Sequence, residues 1–457
     1  MKNYNNKFLW GTATSSFQIE GGSESDGKLP SIWDTFCKTN GKIKNGDIAD
    51  ISCDHYNRWE EDIKLLEELG VNSYRFSISW PRIYSNPNLN IVNNKGLDFY
   101  DKLIDKLLEK GIIPFITLNH WDIPQSFQDK GGWLKRDNIE YFLNYVNIIT
   151  SRLGDKVKHW ITHNEPWVIS NLGYFDGIHA PGNKSRLESF TVAHHLMVSH
   201  GLAIPIIREN SINSEVGISL NLCPAYPASS SEHDRYASLL FDQSFNKLFL
   251  NPLHGNNYPN EIISHWKKNK ELPNNLNFIK SNDINIISTP TDFLGINYYS
   301  RSIVRSNLVK ENENLPIEVF PNHKTEFDWE VYPDGLEKLL ISLNKNYKLD
   351  KIYITENGAS YTSFPDKNGN INDINRIKYL DSHIIACNNA IIAGVPLKGY
   401  FLWSLMDNFE WAEGYRHRFG LIHIDFNTLE RKPKSSFYWY KNKIEYQKNI
   451  LPLTMVS

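Results

Sequence analysis

The run Trp59-Glu60-Glu61-Asp62-Ile63-Lys64-Leu65-Leu66-Glu67-Glu68-Leu69-Gly70-Val71-Asn72-Ser73-Tyr74-Arg75-Phe76-Ser77-Ile78 holds the joint on which the fold turns. Trp59, Ile63, Leu66 and Leu69 recur at helical spacing, and the pattern stops at Gly70. A glycine just past a helix adopts the left-handed conformation at little cost and turns the chain back. The β-rich segment from Val71 to Ile78 follows at once. The same joint recurs where Leu97, Tyr100, Leu103, Ile104 and Leu107 form a stripe ending at Gly111, before Ile112 to Leu118. It appears again where a helix through Ile391 and Ile392 stops at Gly394, ahead of Leu397 to Trp403. Apolar, β-branched strands joined by amphipathic helices mark a parallel sheet covered on its faces.

Reading outward from these joints gives strand candidates at 8–17, 71–79, 112–119, 158–163, 215–221, 292–298, 351–356 and 398–404. Eight β/α units favour a closed barrel over an open doubly wound sheet, and no GxGxxG opens any of the helices. The polar stretches 222–290 and 299–331 read as elaborated βα loops with short helices. The length of 457 residues alone would suggest about three domains. The repeated joint instead predicts one α/β domain over 1–457, a catalytic (β/α)8 TIM barrel with elaborated βα loops.

Composition narrows the function. With 49 Lys+Arg against 52 Asp+Glu the net charge is -3, which leaves no basic excess for nucleic acid. The 13 Trp, 23 Tyr and 23 Phe can fill a core, and can also line a sugar pocket by stacking on apolar ring faces. Residues 1–7 contain no apolar segment, so no signal peptide is expected, and no uninterrupted apolar run approaches membrane-spanning length. Cys37, Cys53, Cys223 and Cys387 are scattered, as reduced thiols are. These features predict a cytoplasmic protein without a membrane or nucleic-acid partner. Its oligomeric state is left open, a homo-oligomer included.

Barrels of this kind carry their chemistry at the C-terminal strand ends. Those ends read Asn119-His120-Trp121, Asn164-Glu165, Asn297-Tyr298-Tyr299, Glu356-Asn357-Gly358 and Trp403, with Glu410-Trp411 just beyond; the first strand is expected to contribute Gln18 and Glu20. Glu165 and Glu356 end the fourth and seventh strands, across the barrel mouth from each other. Two facing acids are the minimum apparatus for glycoside hydrolysis. A gap of about 5–5.5 Å makes the mechanism retaining and about 6.5–9.5 Å inverting, and sequence does not fix that gap. His163 alternates away from the mouth and reads as packed. His194, His195 and His200 read as helical and lack the carboxylate spacing of a metal site, so neither metal nor cofactor is expected.

The run Phe8-Leu9-Trp10-Gly11-Thr12-Ala13-Thr14-Ser15-Ser16-Phe17-Gln18-Ile19-Glu20-Gly21 resembles the signature of family 1 glycoside hydrolases, the β-glucosidases. Thr162-His163-Asn164-Glu165-Pro166 resembles that family's acid/base motif, and Ile354-Thr355-Glu356-Asn357-Gly358 its nucleophile motif. The resemblance runs from Phe8 to about Tyr440 and implies a retaining mechanism, with Glu165 as general acid/base and Glu356 as nucleophile. Repulsion from Glu356 is expected to raise the Glu165 pKa, while Arg75 and Tyr299 are expected to keep Glu356 ionised. The resemblance further implies that Gln18, His120, Asn164, Glu410 and Trp411 hold the non-reducing sugar, stacked on Trp403, with Asn297 close by. Trp167 and Trp329 are leaving-group-side candidates. A cis peptide at Trp403-Ser404 is implied as well.

The family also contains 6-phospho-β-glycosidases, in which the segment matching Asn408–Gly420 supplies a Ser, a Lys and a Tyr. Here those positions read Glu410, His417 and Phe419, and Glu410 would repel a phosphate, although Arg416 and Arg418 lie nearby. The expected activity is therefore an exo-acting β-glucosidase on small-molecule β-glucosides and cello-oligosaccharides, with galactosyl or fucosyl residues as further substrates. The alternatives are a 6-phospho-β-glucosidase, an endo-glucanase and an inactive sugar-binding barrel.

Overall fold

Eight parallel strands close on themselves in the computed structural model, which describes residues 8–306 and 323–454. The readings of residues 1–7 and of 307–322 within the 299–331 stretch lie outside the described residues. The barrel strands are β1 (Leu9–Ala13), β2 (Ser73–Ser77), β3 (Ile113–Asn119), β4 (His159–Asn164), β5 (Glu215–Asn221), β6 (Phe293–Asn297), β7 (Ile352–Asn357) and β8 (Leu397–Trp403). Closure is made by β1, whose Trp10 lies opposite Tyr400 of β8 and whose Gly11 lies opposite Ser73 of β2. The three glycine joints behave as the helix stops they resemble: Gly70, Gly111 and Gly394 take φ of 77°, 71° and 89°.

Side chains alternate between two cores. Phe115, Phe293, Tyr353 and Phe401 fill the barrel interior, with the Phe115 ring 5.0–5.3 Å from the other three. Glycines make room for these rings: a Cβ on Gly11 would stand 2.5 Å from Phe401, and one on Gly217 2.5 Å from Phe293. Outward-facing residues such as Tyr74, Ile116, Trp160 and Ile354 pack beneath the surrounding helices. This aromatic plug fills the lower barrel.

Several sequence expectations need correction. Only Leu9–Ala13 of the 8–17 candidate is strand; Ser16–Ile19 is a helical turn, because Ser16 gives its amide to the side-chain hydroxyl of Ser77 and not to a backbone carbonyl of the neighbouring strand. Gln18 and Glu20 therefore lie beyond the strand. Glu20 does not face the mouth at all, since Arg82 and Tyr100 hold its two oxygens at 3.0 and 2.6 Å. The 222–290 and 299–331 stretches carry short helices, as expected, but also a strand pair, Ala225–Pro227 with Ser302–Val304. One helix, Arg186–Asn210, is long and apolar enough to cross a membrane by length and composition; most of its apolar stretch is buried inside the protein. His194, His195 and His200 lie on it, with His194 bonded to Asp283 at 2.7 Å. His163 is packed between Asn119 and Ser199, at 3.0 and 2.8 Å.

Candidate active site

A cavity of about 410 Å³ opens at the C-terminal ends of the strands. Ten of the residues singled out from sequence line it. They are Glu165, Glu356, Asn297, Tyr299, His120, Trp403, Glu410 and Trp411, together with the half-buried Trp167 and Trp329. Arg75, Asn164 and Gln18 lie immediately behind this lining, each at most 1% exposed.

Glu356 ends β7 and is gripped from two sides. The Arg75 guanidinium donates to its Oε1 at 2.7 Å and the Tyr299 hydroxyl to its Oε2 at 2.6 Å. Arg75 is itself aimed by the Thr355 carbonyl at 2.8 Å, the Asn164 amide oxygen at 2.7 Å and the Thr117 hydroxyl at 3.2 Å. A charged donor and a phenol on one carboxylate both favour its ionised form.

Glu165 follows β4 and takes a left-handed φ of 49°, its amide anchored on the Ser219 carbonyl at 2.8 Å. Trp121 and Trp411 are left-handed too, at φ 76° and 47°. Such backbone costs about 1–3 kcal/mol per residue and clusters at functional sites. Asn297 donates to Glu165 Oε1 at 2.5 Å and to Asn164 Oδ1 at 3.0 Å, while the Thr355 hydroxyl fixes its carbonyl at 2.6 Å. Asn297 also acts to lower the pKa of neighbouring Glu356.

The electrostatics divide the two acids. Burial is the first cause of a Glu165 pKa well above the usual carboxylate range, and the charge of Glu356 is the second, with Arg75 and Asn297 opposing both. The expected repulsion from Glu356 is thus present, with burial added as the larger cause. Burial pushes Glu356 up too, but Arg75, Tyr299 and Asn297 all pull it back, so Glu356 is the member of the pair that ionises first. Burial, then Glu356 and Glu413, lift Glu410 to about 8. Its Oε2 is buried without a hydrogen-bond partner in the protein.

The remaining side chains fall into supports and walls. Asn164 spends its amide on Arg75, Asn297 and His120 Nε2, the last at 3.1 Å. Gln18 bonds Ser15, Asn408 and the Phe409 carbonyl at 2.7, 3.1 and 2.8 Å, beside Glu410. The His120 ring lies near-parallel to Trp403 and Trp411, at 5.9 and 6.1 Å. The Trp403-Ser404 peptide is cis.

Sequence reasoning missed three aromatic wall residues. Trp121 stacks 4.5 Å from Trp411 and donates to the Asn164 carbonyl at 2.9 Å; its place next to His120 was a usable signal. Phe327 lies 4.3 Å from Trp329, two positions away in the chain. Phe245 lies 4.1 Å from Trp167, on a π-turn inside a polar stretch, and no local pattern announces it.

Among the described residues, Arg301 is the only Lys or Arg that lines the cavity, and Glu330 neutralises it through two bonds of 2.7 and 2.9 Å. Arg416 and Arg418 point elsewhere, bonded to Glu413 at 3.1 Å and Asp407 at 2.9 Å. No group of three or more His, Cys, Asp or Glu able to hold a metal occurs among the described residues.

A closed parallel barrel whose mouth holds two neighbouring acids, one charge-paired and one shielded, defines a glycoside hydrolase. The profile of Glycosyl hydrolase family 1 matches residues 1–449, and the chain belongs to that family. Beta-glucosidase A of Acetivibrio thermocellus is 47% identical over 96% of this chain and 97% of its own length. A bifunctional beta-D-glucosidase/beta-D-fucosidase of Bifidobacterium breve is 39% identical over 96% of this chain and 97% of its own. The structure of a beta-glucosidase from Thermotoga maritima in complex with glucoimidazole superposes with a TM-score of 0.90, at 44% identity, covering 97% of this chain and 99% of that one.

Proposed function

We propose that the chain is a retaining, exo-acting β-glucosidase in which Glu165 is the general acid/base and Glu356 the nucleophile. The observation that carries this reading is the division of labour between the two acids: Glu356 is charge-paired with Arg75 and bonded by Tyr299, which suits a nucleophile, while burial and the charge of Glu356 raise the Glu165 pKa, which suits a proton donor. In the first step the Glu356 carboxylate attacks the anomeric carbon while Glu165 gives its proton to the departing oxygen, so the glycosidic bond breaks as the glycosyl-enzyme bond forms. In the second step the ionised Glu165 takes a proton from water, whose oxygen displaces Glu356 and restores both groups. Retention is tested by following product anomers by NMR: β-glucose must appear first and mutarotate afterwards, whereas initial α-glucose would refute the assignment.

Substrate follows from the walls. Trp403 offers a stacking face, and the unpartnered Oε2 of Glu410 accepts from sugar hydroxyls, with Gln18 and His120 beside them. The wall of Trp403, Glu410 and Trp411 supports cleavage from a chain end, against the endo-glucanase reading. The neutralised Arg301 supports a free 6-hydroxyl, against a 6-phosphoglucoside. Aromatic pairs Trp167/Phe245 and Phe327/Trp329 suit aryl groups or further glucose units of cello-oligosaccharides. The similarity to a bifunctional enzyme supports fucosides as additional substrates. The reading extends to one catalytic domain over the whole chain, acting in the cytoplasm during cellulose-fragment breakdown. Supporting the location, all four cysteines are free thiols; fractionation of the producing cells tests it.

A further inference from the structure

Asp122 is a buried acid that neither chemical step uses, 2% exposed and two residues beyond His120. The Ser16 hydroxyl donates to its Oδ2 at 2.8 Å. Ser16 is in turn locked to Ser77: its amide donates to Ser77 Oγ at 2.7 Å, and the Ser77 hydroxyl donates back to Ser16 Oγ at 2.9 Å. This knot joins the C-terminal ends of β1, β2 and β3, directly behind two sugar-side residues. Ser16 precedes Gln18 by two positions, and its neighbour Ser15 holds Gln18 Oε1 at 2.7 Å.

His120 needs such an anchor. Its Nε2 meets Asn164, but its buried Nδ1 has no hydrogen-bond partner, so no bond on the far edge of the ring fixes its tilt. The next residue, Trp121, sits at φ 76°, a conformation a tryptophan keeps only when the chain is held on both sides. On one side it continues β3; on the other the first side-chain anchor is Asp122.

We propose that Asp122 is a positioning residue for sugar recognition: clamped to Ser16, and through it to Ser77, it sets the turn that aims His120 and couples it to the turn that carries Gln18. The inference rests on the reading of the cavity as a glucoside site. Burial lifts the Asp122 carboxyl to about 8, with Glu20 nearby adding to the rise and Lys28 opposing it. The Ser16 hydrogen bond opposes that rise, and asparagine, which keeps an oxygen to accept from Ser16, is the isosteric replacement.

The test uses the full chain and a nitrophenyl β-glucoside, with Asp122→Ala, Asp122→Asn and Ser16→Ala each made alone and on a His120→Ala background. Asp122→Ala should lower kcat/KM by about 10–100-fold. The same change should cost less than about 3-fold once His120 is gone, because interacting sites are not additive. Asp122→Asn should recover most of the loss. A loss of equal size on both backgrounds, or no loss in Asp122→Ala, overturns the proposal. If Asp122→Ala fails to fold by thermal melting, the Ser16→Ala cycle decides by the same criterion of coupling to His120. Glu356→Ala, run alongside, separates the two readings: full activity there removes the glucosidase assignment, whereas an inactive Glu356→Ala with additive Asp122 and Ser16 losses removes only the positioning role.

Discussion

Arg75 and Glu356 are 281 positions apart in sequence and meet at 2.7 Å beneath the cavity, both almost wholly buried. An arginine at the end of β2 thereby sets the charge of an acid at the end of β7. Removing one member of a buried pair leaves the other uncompensated, at about 3–5 kcal/mol. Arg75→Met should lower kcat/KM on aryl glucosides by about 100–1000-fold. Arg75 holds the Glu356 pKa down and Glu356 works ionised, so activity is lost as pH falls through that pKa. In a variant with measurable residual activity, the acid limb of the kcat/KM profile should move to higher pH. An unmoved limb would detach Arg75 from the ionisation of Glu356.

Glu165 works protonated in the first step, and its raised pKa places the basic limb of the profile: activity falls as pH rises through it. Glu165→Ala should erase that limb. It should also cost about 100–10,000-fold on substrates whose leaving group needs a proton, and far less in the glycosylation step with dinitrophenyl glucoside. Uniform losses across leaving groups would argue against acid catalysis by this residue.

A phosphate at O6 would bring about -1.5 to -2 charges into a cavity lined by Glu165, Glu356, Glu410 and Glu413, with Arg301 already paired. Free glucosides should therefore exceed their 6-phosphates in kcat/KM by at least about 100-fold. Comparable rates on the two, measured side by side, would overturn the free-hydroxyl assignment.

The Trp167/Phe245 pair lies away from the reacting bond, so its loss should appear in aglycone binding. Phe245→Ala is expected to raise KM for cellobiose and aryl glucosides by about 3–10-fold while kcat stays within about 2-fold. A selective fall in kcat would instead place Phe245 in the chemical step.

Beneath the segment that follows β8, Asp407 accepts Lys434 at 2.7 Å and Arg418 at 2.9 Å, with Lys434 and Asp407 fully buried. Burial pulls the Lys434 pKa down to about 8, and Asp407 opposes that fall. Asp407→Ala should destabilise the fold by about 3–5 kcal/mol in denaturant titrations, because it strands two cations. A change below about 1 kcal/mol would mean that water reaches the cluster.

What could be read from sequence followed the physics of each feature. The barrel was legible because helix stripe, glycine and apolar strand recur as a local pattern, and local patterns survive folding. Glu165 and Glu356 were legible because polar groups ending apolar strands are anomalous. Glu20 looked the same and was not: its partners Arg82 and Tyr100 lie 62 and 80 positions away, and a distant ion pair leaves no local trace. Phe245 was hidden for the opposite reason, a single aromatic in polar sequence brought to the cavity by a π-turn. Asn297 was visible as a residue, but its bonds to Glu165, Asn164 and Thr355 exist only once β4, β6 and β7 are brought together.

The closure of β1 against β8 also fixes when the enzyme comes into being. As the chain leaves the ribosome, Glu165, Arg75 and Glu356 emerge long before the strand that seals the ring, and until then β1 and β7 each present an open edge. The Tyr440 hydroxyl, on the helix after β8, donates to the Gly11 carbonyl at 3.0 Å, so a segment made after β8 secures the first strand of the barrel. Catalytic competence therefore arrives late in synthesis and in one step, and a chain cut short of β8 contains both acids yet has no mouth to hold them.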